Sequence, residues 1–160
     1  MHYDPIKERL GKVFNKKPAL RRIFYFLLDI LLLRSWHVHK AIRHLFPDVK
    51  SNIRILDAGM GFGQYTWWMS KRYRRADITA ADIKSEQVSD CNRFFSQCHI
   101  SGRVKAIEAD LTTFTARNEY NLILCVDVME HITEDTTVFG NFNAALTGGG
   151  KLVISTPSDK

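Results

Sequence analysis

The chain has 160 residues, 45% hydrophobic and 25% charged, enough to bury one ordinary core, so one globular domain is the default. Its cysteines, Cys91, Cys98 and Cys125, are odd in number and form no CxxC pair, which excludes a disulfide framework and a zinc knuckle and fits a reducing cytoplasm. The net charge of +6 is not a nucleic-acid signature, because residues 1–50 hold 11 Lys/Arg against 4 Asp/Glu (+7), whereas residues 51–160 hold 12 against 13 (−1).

The basic N-terminal segment, residues 1–50, reads as a helical cap on the domain formed by residues 51–160. Within it, Ile23 to Leu33 is almost wholly apolar and is flanked by Arg21, Arg22 and Arg34. That is the outline of a membrane-seeking helix. The run covers only 11 residues and contains Asp29, whereas spanning a bilayer takes about 20. A secretory signal also fits poorly, since the run begins late and no small-x-small cleavage site follows. Two readings stay open: a helix packed on the domain or across a ligand pocket, and a helix on a membrane surface, with peripheral contact through residues 18–46. From Trp36 to Phe46, the positions Val38, Ala41, Ile42, Leu45 and Phe46 keep helical spacing. His37 and His39 are too close in sequence to share a metal on a helix and read as surface or cap-contact residues. Cys91, Cys98 and His99 match no common metal spacing, so no metal is expected.

Short apolar runs then alternate with helical patterns. Strands are expected at Arg54–Ala58, Asp77–Ile83, Val104–Glu108, Asn121–Val126 and Lys151–Ser155. Helices are expected at Tyr65–Tyr73, Ser85–Cys98 and Asp135–Leu146, with Gly148–Gly150 closing the last as a C-cap. This alternation predicts an α/β domain with a parallel sheet wrapped on both faces.

The most informative stretch is "RILDAGMGFGQYTWWMS", Arg54 to Ser70, with Gly59, Gly61 and Gly63 at alternate positions. It follows the first strand and precedes a helix, where doubly wound sheets bind ligands. Side chains at these positions would obstruct a ligand's approach to the backbone or forbid the φ > 0 angles of the turn. Dinucleotide binders use GxGxxG, which would put a glycine where this chain has Gln64. Asp57, at the strand end, is awkward beside a pyrophosphate and suits a ligand carrying ammonium and sulfonium charges.

These residues resemble the class I S-adenosylmethionine-dependent methyltransferases, in the small-molecule branch that includes quinone and lipid methyltransferases. The resemblance runs from about Ile53 to Pro157 and rests on segments in order: "ILDAGMGFG", "ITAADI", "IEADLTTF", "YNLILCVDVMEHI" and "ALTGGGKLVISTP". It implies a Rossmann-like, doubly wound parallel sheet of strand order about 3-2-1-4-5, and S-adenosyl-L-methionine as cofactor, with S-adenosyl-L-homocysteine as product. It also implies roles for individual residues. Asp82, with Ile83 beside it, would accept hydrogen bonds from the ribose hydroxyls. Asp57 would help hold the methionine ammonium over the floor made by Gly59, Gly61 and Gly63. Thr66 would bond the methionine carboxylate at a helix N-terminus, where the dipole favours an anion. Asp110 would accept the adenine amino group, Leu111 would pack on the ring, and Val126 and Asp127 would complete the wall. Of Trp67 and Trp68, one should pack on the sheet and the other meet the N-terminal helix.

His131, near the end of the fourth strand, is the candidate general base; the bland alternative is a histidine that fixes the pocket wall through the loop backbone. The chain lacks the Asn/Asp-Pro-Pro-aromatic motif of amino-adenine methyltransferases and the Pro-Cys nucleophile of the cytosine-C5 type. The expected acceptor is therefore a small, apolar or lipid-like molecule rather than nucleic acid. The competing class is a non-catalytic S-adenosylmethionine-binding or membrane-associated protein. The chain stops where the family normally adds a final helix and sixth and seventh strands. It reads as a truncated form, or as one whose edge strand, residues 151–155, is covered by a partner.

Overall fold

The computed structural model describes residues 17–157. Two helices come first, α1 (Pro18–Leu31) and α2 (Leu33–Leu45), followed by β1 (Arg54–Ala58), α3 (Gln64–Arg72), β2 (Asp77–Asp82) and α4 (Ser85–Gln97). Then follow β3 (Val104–Glu108), β4 (Tyr120–Val126), a 3₁₀ turn at Met129–His131, α5 (Asp135–Ala145) and β5 (Leu146–Ser155). The strands form one parallel sheet of order β3-β2-β1-β4-β5. Its strand order reverses between β1 and β4, so their carboxyl ends diverge into the crevice that such sheets use for ligands.

Strand residues alternate between two cores, as a period of two requires. Ile55, Ile78, Ala80, Leu122 and Leu124 point to one face, where Tyr25, Ile42, Met69, Phe94 and Phe95 cover them. Leu56, Ala81, Ile123 and Cys125 point to the other, under Val138 and Phe142 of α5. Asp57 has the parity of Ile55, so its carboxylate is directed beneath α3 rather than into solvent.

The apolar N-terminal run breaks at Leu32, whose extended backbone (φ −97°, ψ 108°) separates α1 from α2. Pro18 opens α1 at a position where its missing N–H costs no helical bond. The inner face of α1 is held to the domain by Arg21, Phe24 and Tyr25, all buried. Of the two alternatives for His39, the structure takes the contact between cap and domain: it is buried and stacked on Trp68 with ring centroids 3.9 Å apart. One expectation fails here. Gly148–Gly150 do not cap α5, because Leu146 is already extended and β5 starts there. The pairing runs Tyr120 to Leu146 and then Leu122 to Lys151, so the glycines lie in a bulge that absorbs the extra β5 residues. Trp68 does meet the N-terminal helices, and Trp67 packs against the core on the α4 side, edge-on to Phe94.

Candidate cofactor site

At the carboxyl end of β1 the chain turns sharply through Gly59, Gly61 and Gly63, with φ of +77°, +52° and +78°. The backbone N–H groups of Gly59 and Met60 both donate to the carbonyl of Ala81 in β2, at 2.8 and 3.0 Å. The N–H of Gly61 donates to Asp82 Oδ2 at 2.9 Å, and Asp82 Oδ1 accepts the N–H of Lys84 at the same distance. Asp82 thus ties the end of β2 to the tip of the glycine turn, and its remaining lone pairs stay available to a ligand.

The turn's glycines are not equivalent. A Cβ on Gly59 would stand 2.1 Å from Val128 Cγ2, whereas one on Gly61 would meet nothing within 4 Å. Gly59 is needed for internal packing; Gly61 leaves an open cradle. Gly59→Ala is therefore expected to destabilise the fold by more than about 2 kcal/mol, through overpacking added to the positive-φ penalty. Gly61→Ala should cost about 1 kcal/mol of stability while weakening cofactor binding. Urea melts and titration calorimetry on the two variants would show opposite rankings, and a common ranking would contradict this division.

Asp57 is 2% exposed. Its carboxylate accepts from the hydroxyl of Thr66 and also from that residue's backbone N–H in the first turn of α3. Thr66 is fully buried, so the structure moves its hydroxyl from the methionine carboxylate to Asp57. The anion at the α3 N-terminus is Asp57 itself, and a pyrophosphate there would meet it head-on. Burial pushes the Asp57 carboxyl up to about 6, against the Thr66 bonds, which pull it down.

This shift has a definite sign. The folded-state value lies above the unfolded one, so between about pH 4 and 6 the native state binds more protons, and stability falls as pH rises. A shift of this size corresponds to about 3 kcal/mol. His39 acts in the opposite sense: burial, with Arg43 beside it, lowers its imidazole to about 4, so its contribution is lost as pH falls through that range. Although His39 Nε2 lies 3.7 Å from Asp29 Oδ1, its burial decides for the neutral ring. The two slopes oppose one another in the wild type. Asp57→Asn should remove one slope, leaving stability that rises with pH and exceeds the wild type by about 2–3 kcal/mol above pH 6. Denaturant melts from pH 4 to 8 measure this, and parallel curves for the two proteins would contradict the assignment.

At the end of β4, Asp127 adopts φ +54°, a left-handed conformation that non-glycine residues rarely occupy and that clusters at functional sites. Its N–H donates to Ser155 in β5, and its carboxylate pairs with Arg34 from the start of α2. The next residue is the Val128 that packs on Gly59. Carboxylates from β1, β2 and β4 thus surround one glycine turn, and Arg34 brings a cation to its rim.

The other expected residues divide. Ile83 is 61% exposed beside Asp82, free to cover a ring, and Val126 is half-buried at the end of β4. Asp110 is exposed and accepts the N–H and hydroxyl of Thr112, at 2.8 and 2.7 Å, in an Asx turn; these bonds hold its carboxyl below the usual range. Leu111 is buried with the α5 core, and its carbonyl accepts from Asn141. It is therefore a packing residue rather than an open platform. His131 is exposed in the 3₁₀ turn, which its own N–H closes onto Val128.

The structure adds residues that sequence reasoning missed. The Gln64 amide donates to Asp29 of α1 and Ser35 of α2, at 2.6 and 3.0 Å. The Arg21 guanidinium donates to the Phe62 carbonyl inside the glycine turn, at 2.7 Å. With Arg34, these contacts fasten the α1–α2 hairpin across the site. The only hint in the sequence was a cluster of cations and one acid bordering an apolar run. A cleft of about 360 Å³ lined by Arg54, Asp77, Arg103 and Tyr120 lies at the amino end of the strands, the wrong end for this chemistry.

A doubly wound sheet with an acid-ringed glycine turn at its switch point defines a Rossmann-like nucleotide-cofactor domain. Residues 55–150 match the family described as "Methyltransferase domain", and the chain belongs to it. S-adenosylmethionine is the cofactor of this family. A phosphoethanolamine N-methyltransferase of Triticum aestivum is 32% identical over 112 residues, covering 68% of this chain and 21% of the relative. A ubiquinone biosynthesis O-methyltransferase of Xanthomonas axonopodis pv. citri (strain 306) is 30% identical over 105 residues, covering 64% and 42%. The chain thus spans less than half the length of these relatives. Among solved structures, a SAM-dependent methyltransferase from Aquifex aeolicus superposes with a TM-score of 0.69 at 16% identity, covering 86% of this chain and 71% of that one.

Proposed function

We propose that the chain forms the cofactor-binding part of an S-adenosylmethionine-dependent methyltransferase whose acceptor is a small, apolar molecule. The observation that carries this reading is the ring of carboxylates around the open Gly61 turn. Asp57 lies below it, Asp82 is bonded to its tip, and Asp127 precedes the Val128 that stands against Gly59. That set of anionic acceptors fits the ammonium, sulfonium and ribose hydroxyls of S-adenosylmethionine and opposes a pyrophosphate. The cofactor, when bound, supplies a methyl group on a sulfonium centre, a leaving group that makes alignment the chief requirement.

The chain's residues would divide that work. Asp82 accepts the ribose hydroxyls, Ile83 and Val126 wall the nucleoside, and the exposed Asp110 takes the adenine amino group through the carboxylate oxygen that Thr112 leaves open. Asp127 meets the ammonium, while Arg34 answers the methionine carboxylate. Asp57 acts from below, holding α3 through Thr66 and adding negative charge under the cationic end. His131, exposed at the β4 end, is the group placed to take a proton when the acceptor carries one. The small-molecule acceptor is consistent with relatives named for phosphoethanolamine and ubiquinone biosynthesis. The free thiols Cys91, Cys98 and Cys125 suit a reducing, cytoplasmic setting.

Titration calorimetry with S-adenosylhomocysteine and with NAD tests the cofactor. Binding of the first, with none of the second, is expected. Tight NAD binding would overturn the reading.

A further inference from the structure

The inner face of α1 is fully engaged, but its outer face is not. Leu20, Ile23, Phe26, Leu27, Ile30 and Leu31 are 37%, 53%, 63%, 43%, 63% and 73% exposed. At 100° per residue they occupy one arc of about 140°. Beyond the elbow at Leu32, Leu33 (78% exposed) and Trp36 (55%) continue the apolar surface onto α2. Scattered exposed apolar residues need no explanation; a contiguous helical face of them does.

The charges bordering this surface have one sign. Between residues 17 and 46 the chain carries Lys17, Arg21, Arg22, Arg34, Lys40 and Arg43 against the single acid Asp29. Asp29 is turned inward to Gln64, whereas Lys17, Arg22, Lys40 and Arg43 are exposed. An apolar arc with a cationic border fits the interfacial plane of an anionic bilayer, where the rings and aliphatic chains enter the acyl boundary and the cations meet the headgroups. A second copy fits poorly. A two-fold contact sets the same patch against itself, bringing these cations together with no exposed acid on the segment to oppose them.

We propose that the outer face of α1, with Leu33 and Trp36, docks the protein on an anionic lipid surface. Among the described residues no helix is long and apolar enough to cross a membrane, so the contact is peripheral. Docking would place the hairpin that spans the cofactor site against the bilayer, where an apolar acceptor is concentrated. The proposal stands on the exposed face and its charges, and is separable from the cofactor reading.

Co-sedimentation of the full chain with vesicles tests it, using phosphatidylcholine alone and phosphatidylcholine with roughly 30% phosphatidylglycerol. Binding to the anionic vesicles is expected to be at least about tenfold tighter and to weaken with added salt. Phe26→Ser with Ile30→Ser, both at exposed positions, should abolish it while leaving circular dichroism and S-adenosylhomocysteine affinity unchanged. Lys17→Glu with Arg22→Glu should remove the preference for anionic lipid. Absence of binding to either vesicle, or equal binding to both, would overturn the proposal. So would self-association that Phe26→Ser with Ile30→Ser abolishes in the absence of vesicle binding, since the face would then be covered by a second copy.

Discussion

Asp82→Ala is expected to weaken S-adenosylhomocysteine binding by roughly 30- to 1,000-fold, or about 2–4 kcal/mol. In the structure this carboxylate already accepts two backbone N–H groups, from Gly61 and Lys84. Its removal would thus do two things. It would delete the charged acceptor proposed for two ribose hydroxyls, each such bond being worth about 1.5–3 kcal/mol net. It would also free the tip of the glycine turn from β2, with a loss of about 1–2 kcal/mol of stability. Asp82→Asn separates these effects, because the amide retains one acceptor oxygen and little of the shape changes. Its affinity should fall between the wild type and the alanine variant. Asp110→Ala is the comparison within the same region: its carboxylate is exposed and, among the described residues, bonded to Thr112 alone, so a loss below about tenfold is expected. Calorimetry on the three variants, at a temperature where all remain folded, measures the ranking. An unchanged affinity for Asp82→Ala would remove that residue from the site.

Periodicity and spacing carried the sheet because strand parity and helix alternation are local properties. All five expected strands occur, β1 and β3 with the expected bounds, β2 and β4 with one end shifted by one residue, and β5 starting at Leu146 rather than Lys151, and the glycine turn sits between β1 and α3. The differences share one physical cause: each is decided by a partner that another element brings in, which a local pattern does not contain. Thr66 reads as a helix-N-terminal hydroxyl facing a ligand until β1 places Asp57 beneath it. His39 reads as a surface or cap-contact residue until Trp68, arriving from α3, decides for the contact. Leu111 reads as a ring platform until α5 covers it. Gly148–Gly150 satisfy a local C-cap pattern, but pairing of β4 with β5 overrides it. The hairpin contacts are the extreme case. Arg34 with Asp127, and Arg21 with Phe62, join residues far apart in the chain, and no periodicity announces such a pair. Of the two readings of the apolar α1 run, packing on the domain describes its inner face, and the membrane-surface reading is the proposal made for its outer face. Its inner side is buried by protein, whereas its outer side is exposed and available to a partner.

Arg21→Met is expected to lower the unfolding free energy by about 3 kcal/mol. Arg21 is 3% exposed, and its guanidinium is anchored at several points. It donates to Tyr25 Oη at 2.6 Å, to the carbonyls of Phe62 and Asp90 at 2.7 and 3.1 Å, and to Cys91 Sγ at 3.0 Å. It also lies 4.7 Å from the Phe94 ring centroid, a cation–π distance. Methionine keeps much of the aliphatic stem but none of the donors, so the Phe62 carbonyl loses its guanidinium donor and keeps the Tyr25 hydroxyl. Tyr25→Phe should cost less, about 1 kcal/mol, because Arg21 still serves Phe62. Since both residues converge on that carbonyl, their effects should not add, and a double-mutant cycle in urea should return a coupling of about 0.5–2 kcal/mol. Phe62 lies inside the glycine turn, so the loss should reach the cofactor as well. S-adenosylhomocysteine should bind Arg21→Met more weakly, yet at saturating concentration it should restore part of the lost melting temperature, because it binds only the folded form. A stability change below about 0.5 kcal/mol would show that α1 is held to the domain by its apolar contacts alone, and that the turn does not depend on this helix.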